Sequence, residues 1–571
     1  MGGKNRKKKT STPEEFKEKG NTYLQKGLLT EALNCYTKGL QLQSNNKFLL
    51  SNRSAVHNLL HMNQEAIEDA QAAISIDPNW DKPYFRLCKA YEESDQLDSA
   101  ILAIDSALSI KDSEEYRETK LQLQRQLNYL SSIPPEHKSV SEELVQWLVQ
   151  GGTIIQNVEM AYYPDGERGL SSKFFIPSDT NLIVIPKNFI VSVELAKNSE
   201  IGQKIHSSNL DLVSPKHCLL SAFLLEESSK ANTPWTPYLK SLPKDLGNFP
   251  VFYTEEEKAW LKGSPTLLDL THKLEDLVLD YEAICNSVPE FKKFELQEFI
   301  KMRTVVGSRV FSMKVQGEAL DGMVPLADML NHKVPRVTKW SFEDSLDSFV
   351  VKSQTAIEKG CELCDSYGKK SNSRFLLNYG FVVHENEADE FQFRIELYSQ
   401  DPLLHQKAEM MEGNQVQIIN AKANSQDMSF HKLVTYLRFV ELQDPLIMPE
   451  LFKSVEGKNN RDPILIGPMS IENETKVLLH IQNLCIAALN KYPTTLSQDL
   501  MLFQAKSQLP QNNTNCLAVR IGEKRILQWY LEFAEFCLPL LKLSREEIRK
   551  VKSTPYANYV SQVIVPLIRK L

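Results

Sequence analysis

The chain has 571 residues, 42% of them hydrophobic, with a formal net charge of -7 and a pI near 6.0. That length has room for three or four domains, each with its own core. The acidic balance argues against a general nucleic-acid binder, no apolar run approaches the roughly 18 residues of a membrane span, and nine scattered cysteines fit a reducing compartment rather than a disulfide framework.

The one basic run lies in the head, GGKNRKKKTS, with Lys4, Arg6, Lys7, Lys8 and Lys9. It reads as a disordered, solvated tail over residues 1–11, with a nuclear or ribosomal address as the second reading. Arg6 breaks the myristoylation pattern that Gly2 would open, and no signal peptide is expected. The expected location is cytoplasmic, with the nucleus second.

Residues 13–114 are self-similar at a period of 34. In phase stand Gly20, Ser54 and Cys88, then Ala32, Ala66 and Ala100, then Gly39, Ala73 and Ala107. Small residues at these places let two antiparallel helices approach closely, so residues 12–131 are expected to form three helix pairs and a capping helix. The pattern is that of the tetratricopeptide repeat. Lys17 and Asn21 are spaced i to i+4, as are Lys82 and Arg86, so each pair shares a helix face. With Asn52, these positions resemble the carboxylate clamp of co-chaperone tetratricopeptide domains. The resemblance implies binding of the Glu-Glu-Val-Asp tails of heat-shock chaperones, where cations and amides meet carboxylates. Pro134 and Pro135 mark residues 132–139 as a linker.

From about 140 the texture changes to mixed strand and helix. NLIVIPKNFIVSV and SFVVKSQTAI read as strands, residues 203–305 as mostly helical, and residues 387–571 as an amphipathic helical bundle carrying LVTYLRFVEL and KVLLHIQNLCIAAL. Cys361 and Cys364 form a lone CxxC in a strand-like stretch. No second pair stands at finger spacing, so no metal is expected. PLADMLNH, residues 325–332, sets Asp328, Asn331 and His332 in an apolar run, and this has two readings. The polar groups bond their own backbone in a capped turn, or they face a ligand.

The segments ERGL, NLIVIP, VELAKNSEIG, WTPYLKSLP, GSRVF, VPLADMLNH, SYGKKSN, NYGF and AVRIGEKRIL resemble, in order and spacing, the SET-domain methyltransferases of the Rubisco large-subunit methyltransferase branch. The fold implied is a multidomain one: an all-α repeat array, a knotted β SET domain over 140–386 split by a helical insert at about 203–305, and an all-α substrate-binding domain over 387–571. The function implied is protein-lysine N-methylation from S-adenosylmethionine. By resemblance, Arg168, Gly169, Glu200, Ile201, Gly202, Arg309, Asp328, Asn331 and His332 contact the cofactor, and Tyr367 is the catalytic tyrosine. Tyr379 and Phe381 line the cofactor and lysine channel. One subgroup methylates an actin histidine and carries Asn and Trp where Phe311 and Ala327 stand here, which favours lysine. Glu167 departs from the family's first glycine, as Asp179 and Thr180 do from its Gly-Glu. This departure keeps a second function in view, an inactive SET protein serving as a co-chaperone adaptor.

Such chemistry asks little of acids and bases, because a sulfonium methyl is already activated and the amine has only to be aligned. Protonation is the obstacle: neutralising a lysine at pH 7 costs on the order of 4 to 5 kcal/mol. A narrow apolar channel lowers that cost.

Overall fold

In the computed structural model, residues 12–570 are described apart from 95, 133–134, 164–167, 412, 448–465 and 552–555. The basic head and Glu167 lie outside the described residues. The chain divides into two compact units, residues up to 140 with 162–167, and residues 141–161 with 168–571.

The first unit is built of α1 (Pro13–Gln25), α2 (Leu29–Leu42), α3 (Lys47–Leu59), α4 (Asn63–Ile76), α5 (Asp81–Glu93), α6 (Leu97–Ile110) and α7 (Glu114–Ser132). The in-phase small residues are where these helices cross. Ala32, Ala66 and Ala100 are wholly buried, and a Cβ on Gly20 would stand 2.4 Å from the Tyr36 ring. Buried charge is paired: Arg53 holds Asp69 through two bonds of 2.7 Å. Residues 135–139, expected as linker, form the first turns of α8 (Pro135–Gln150), with Pro135 at the first helical position, where its missing N–H costs nothing.

The second unit opens with β1 (Ile154–Ile155), β2 (Val158–Tyr162), β3 (Arg168–Ser172), β4 (Asn181–Pro186) and β5 (Val191–Ser192). A helical insert follows: α9 (Val193–Asn198), α10 (Glu200–Ser207), α11 (Pro215–Ser228), α12 (Thr236–Ser241), α13 (Glu255–Ala259), α14 (Pro265–Ser287) and α15 (Leu296–Arg309). The chain then returns to the sheets through β6 (Val310–Val315), β7 (Glu318–Met323), β8 (Asn331–His332), β9 (Thr338–Glu343), β10 (Ser348–Ser353) and β11 (Glu362–Asp365). Three small sheets result, in the orders β1-β4-β10-β9, β2-β3-β11-β8 and β5-β7-β6. Apolar side chains of the strands and of the insert share one core, with Leu170, Ile183, Phe349 and Leu363 fully buried.

Next come α16 (Asn372–Tyr379), β12 (Phe391–Glu396), α17 (Leu404–Met410), β13 (Val416–Ala421), α18 (Met428–Val440), α19 (Ile471–Leu489), α20 (Leu496–Gln504) and α21 (Gln511–Leu540). This region is helical as expected, save for the antiparallel pair β12–β13. Helix α21, which carries AVRIGEKRIL, joins it to the insert. Glu523 accepts hydrogen bonds from Ser264 (2.7 Å), Thr266 (3.0 Å) and Tyr492 (2.8 Å). On the neighbouring face Asp499 binds both Arg520 and Lys524 at 2.6 Å, all three buried. Removing one member of such a group strands the others in a medium that cannot solvate them. Asp499→Ala should therefore destabilise the second unit by about 3–5 kcal/mol, read as a lower midpoint in denaturant. An unchanged midpoint would show that the triad contributes nothing.

Candidate active site

Strand β11 runs antiparallel to β3 and parallel to β8. Asn331 sits where the three meet. Its side-chain amide donates to the carbonyl of Arg168 on β3 (3.2 Å) and to the Glu362 carboxylate on β11 (2.8 Å). One residue thus ties segments that are remote in sequence.

The approach to Asn331 is strained. Leu326, fully buried, has φ +71° and ψ -47°, a conformation that side-chain-bearing residues rarely adopt. It turns the chain into the single 3-10 turn Ala327–Met329. Asp328 on this turn caps no backbone N–H, so the capped-turn reading of PLADMLNH fails. Its carboxylate instead accepts from the Tyr238 hydroxyl (2.9 Å) and pairs with Arg309 (3.4 Å), which also donates to the Asp328 carbonyl (2.7 Å). Burial next to Asp328 pushes the Tyr238 phenol well above its ordinary range, so it stays a donor. The second carboxylate oxygen of Asp328 and Nε of Arg309 are buried without a hydrogen-bond partner among the described residues.

Tyr367 closes the site. Its hydroxyl donates to the Leu330 carbonyl (2.7 Å), and its backbone N–H donates to Nδ1 of His332 (2.9 Å). Burial raises its phenol pKa, so the hydroxyl remains protonated. Around it stands an aromatic wall. Tyr379 stacks on Tyr367 at 4.8 Å, Phe381 lies 6.2 Å from Tyr367, and Phe375 stacks on Phe381 at 5.1 Å. His332 packs into the same group, 4.7 Å from Phe375. At the rim, Lys370 donates to the Tyr367 carbonyl and lies 5.6 Å from the Tyr379 ring.

The structure therefore brings together Arg168, Arg309, Asp328, Asn331, His332, Tyr367, Tyr379 and Phe381, with Gly169 buried beside Arg168 on β3. Glu200, Ile201 and Gly202 form the first turn of α10. Glu200 pairs with Lys204 (2.9 Å), Ile201 is buried in the core, and a Cβ on Gly202 would stand 1.8 Å from the Ala196 carbonyl. These contacts are those of a helix packed closely on its neighbour. Phe375 and Tyr238 were missed by sequence reasoning, while Glu362 belongs to the second Gly-Glu-like site, Gly360 to Glu362, which keeps the family pattern. Phe375 could have been found, because it precedes Tyr379 by four residues on one helix face. Cys364 is buried in β11, Cys361 is exposed, and no cluster of metal ligands occurs among the described residues.

In the first unit, Asn52 donates to Asn21 (2.9 Å), which also accepts from the Tyr36 hydroxyl (2.7 Å). Lys17 pairs with Glu14 and lies 5.2 Å from the Phe48 ring. Lys82 is exposed on α5. Arg86, one turn further on, is partly buried and forms no ion pair among the described residues.

Residues 399–527 match the Rubisco LSMT substrate-binding family, and residues 18–46 match the tetratricopeptide repeat. The actin-histidine N-methyltransferases of Mus musculus and Gallus gallus are each 24% identical over 406 residues, which span 68% of this chain and 67% of theirs. The solved SET domain of LSMT bound to lysine and AdoHcy superposes with a TM-score of 0.60 at 22% identity, covering 74% of this chain and 95% of that one. Rubisco LSMT bound to AdoMet gives 0.58 at 22% identity, over 74% and 95%. The chain thus has the fold of the solved LSMT SET domains. It also carries matches to the LSMT substrate-binding and tetratricopeptide families, and the curated proteins it resembles are protein methyltransferases.

Because Nδ1 of His332 accepts a hydrogen bond, the ring must be neutral with its proton on Nε2. Burial, helped by Lys370, lowers its pKa below the ordinary 6.5. A depressed histidine pKa means that the folded state binds fewer protons than the unfolded one. This contribution to stability is present above about 6.5 and is lost as pH falls through the folded value. Nitrogen NMR at pH 6.5 should find His332 in the neutral Nε2–H form. A charged ring there would contradict the geometry.

Proposed function

We propose that the chain is a protein-lysine N-methyltransferase that takes its methyl group from S-adenosylmethionine and is recruited by its repeats to chaperone tails. The observation that carries the reading is Tyr367: a protonated phenol, fixed at both its hydroxyl and its backbone, beside an aromatic wall. The residues fit the cofactor. An amino acid zwitterion needs both an acceptor and a donor, and the unpartnered oxygen of Asp328 and Nε of Arg309 offer one of each close to Asn331. Asn331, Asp328 and Arg309 would hold it, with Arg168, Gly169 and the His332 backbone beside them. When bound it supplies a methyl already activated on a cationic sulfur.

The chain's own residues then handle the acceptor. Tyr379, Phe381 and Phe375 exclude water, which disfavours the ammonium form of an incoming lysine. Tyr367 orients the neutral amine by hydrogen bonding, and the amine's proton leaves to solvent. Ala327 and Phe311 support lysine over histidine. Ala327 is wholly buried with no indole, and Phe311 packs edge-on against Trp340 and Phe349 at 5.2 Å. A histidine acceptor is the second reading, favoured by the activity that the relatives' names record.

Tyr367→Phe should lower turnover heavily while the protein still folds, since one hydroxyl is lost; turnover at the parent rate would remove Tyr367 from the chemistry. With both amide protons of Asn331 engaged by Arg168 and Glu362, its amide oxygen is what remains for the cofactor. Asn331→Ala forfeits that bond to a charged group, worth about 1.5–3 kcal/mol, and loosens the strand crossing that shapes the site. Calorimetry should show S-adenosylmethionine binding weakened by roughly tenfold or more. Unchanged affinity would remove Asn331 from the cofactor site.

For the repeats, Arg86 supports the clamp as a partly buried guanidinium without an ion pair among the described residues, on the same helix face as Lys82. Arg86→Ala should weaken binding of a Glu-Glu-Val-Asp peptide by about 2 kcal/mol or more. Added salt should weaken it as well. Equal binding of the free-acid and C-terminally amidated peptides would leave the array without this partner.

A further inference from the structure

We propose that Asp389 and Lys273 are positioning residues for the transfer step: they grip the two ends of α16 and so hold Phe375, Tyr379 and Phe381 against Tyr367. The proposal rests on reading the Tyr367 site as the place of methyl transfer.

Helix α16 has only two turns, and the residues at its ends decide where its aromatics stand. Its N-cap, Ser371, does not cap it, because the hydroxyl is bonded to that of Ser373 (2.9 Å). Asp389 does so from outside. One carboxylate oxygen accepts from the Asn372 N–H (2.6 Å) and the other from the Asn372 side chain (3.2 Å), while Asn386 donates at 3.4 Å. Asn372 in turn bonds both the N–H (2.8 Å) and the carbonyl (2.9 Å) of Val383, two residues beyond Phe381. The segment from 372 to 383 is therefore closed into a loop with the channel aromatics inside it.

At the other end, Lys273 of α14 donates to the Leu377 carbonyl (2.6 Å) and the Asn378 side chain (3.0 Å). The helix ends on Gly380 at φ +77°, where an added Cβ would stand 2.5 Å from the Asn248 amide. An anion at the start and a cation at the end both suit the helix dipole. Behind Asp389 stands Gly522 of α21, where a Cβ would come within 2.5 Å of the carboxylate. The glycine in AVRIGEKRIL thus makes room for the grip.

Both charges are kept against the preference of their surroundings. Burial raises Asp389 to about 6, with Glu390 adding to the shift and Arg525 opposing it, and the fully buried Glu523 also faces it. Burial lowers Lys273 to about 8, with Arg303 adding to the shift, and Lys273 in turn acts on His217. A raised carboxyl and a lowered amine each mean that the fold loses stability by holding the charged form at neutral pH. Stability alone would favour apolar side chains here. Below about pH 6 a protonated Asp389 turns one acceptor toward donors, and above about pH 8 a neutral Lys273 binds its carbonyl more weakly. The helix is held at both ends between these limits.

Lys273→Met, Lys273→Arg and Asp389→Asn of the full chain are to be compared for kcat, S-adenosylmethionine affinity and amide hydrogen exchange over residues 372–383. Lys273→Met should lower kcat roughly ten- to hundredfold through misplacement alone, leave cofactor affinity within about twofold, and speed exchange at the end of α16. Lys273→Arg should restore both and move the alkaline fall in kcat upward. Parent kcat and parent exchange in Lys273→Met would overturn the proposal. If that variant does not fold, Asp389→Asn decides: it should lose the acid limb near pH 6, and an unaltered limb would overturn the proposal. Were the parent chain to transfer no methyl group at all, the exchange measurement would still test the grip independently of the function.

Discussion

The structure turns on the side chain of Asn331. Two hydrogen bonds from one amide hold β3 and β11 beside β8, and the path of the chain through that crossing puts everything else in reach. The strained Leu326 delivers the residue, and Asp328 and Arg309 stiffen the turn before it. Tyr367 returns on the far side to bond Leu330, the residue next to it in sequence. A short polar side chain inside an apolar run is expensive unless its bonds are made. Here both amide protons are used in joining strands.

The second unit surrounds this crossing with charge that does not serve stability in the ordinary way. The Asp328–Arg309 pair is left partly unpartnered, Asp389 and Lys273 are held ionised where burial opposes it, and Glu523 is raised to about 7 by burial at the junction of α21 with the insert. Each would be replaced by an apolar residue if rigidity were the only demand. Asp389 and Lys273 grip the helix that carries the aromatic wall, and the proposed transfer to an amine would need such a wall to be fixed.

Much of this could be read from the residues. The period of 34 located the repeats, because small residues must recur wherever helices cross. The knot segments located Asn331, Tyr367, Tyr379 and Phe381, which the fold brings together. Other features escaped because they are long-range. Tyr238 reaches Asp328 across 90 residues and Lys273 reaches Leu377 across 104, and no local pattern marks such partners. The linker reading of Pro134 and Pro135 overlooked that Pro also begins helices, as Pro135 does in α8. The strands β12 and β13 were absorbed into a helical reading because their apolar residues also suit a buried helix face.

The central claim is that this crossing directs a methyl group onto a lysine side chain. The most direct measurement is to incubate the purified chain with a cell extract and methyl-labelled S-adenosylmethionine, hydrolyse the labelled protein to amino acids and identify the one that carries the label. The account predicts label in methylated lysine. Label in methylhistidine, or no transfer above a control lacking the chain, would contradict it.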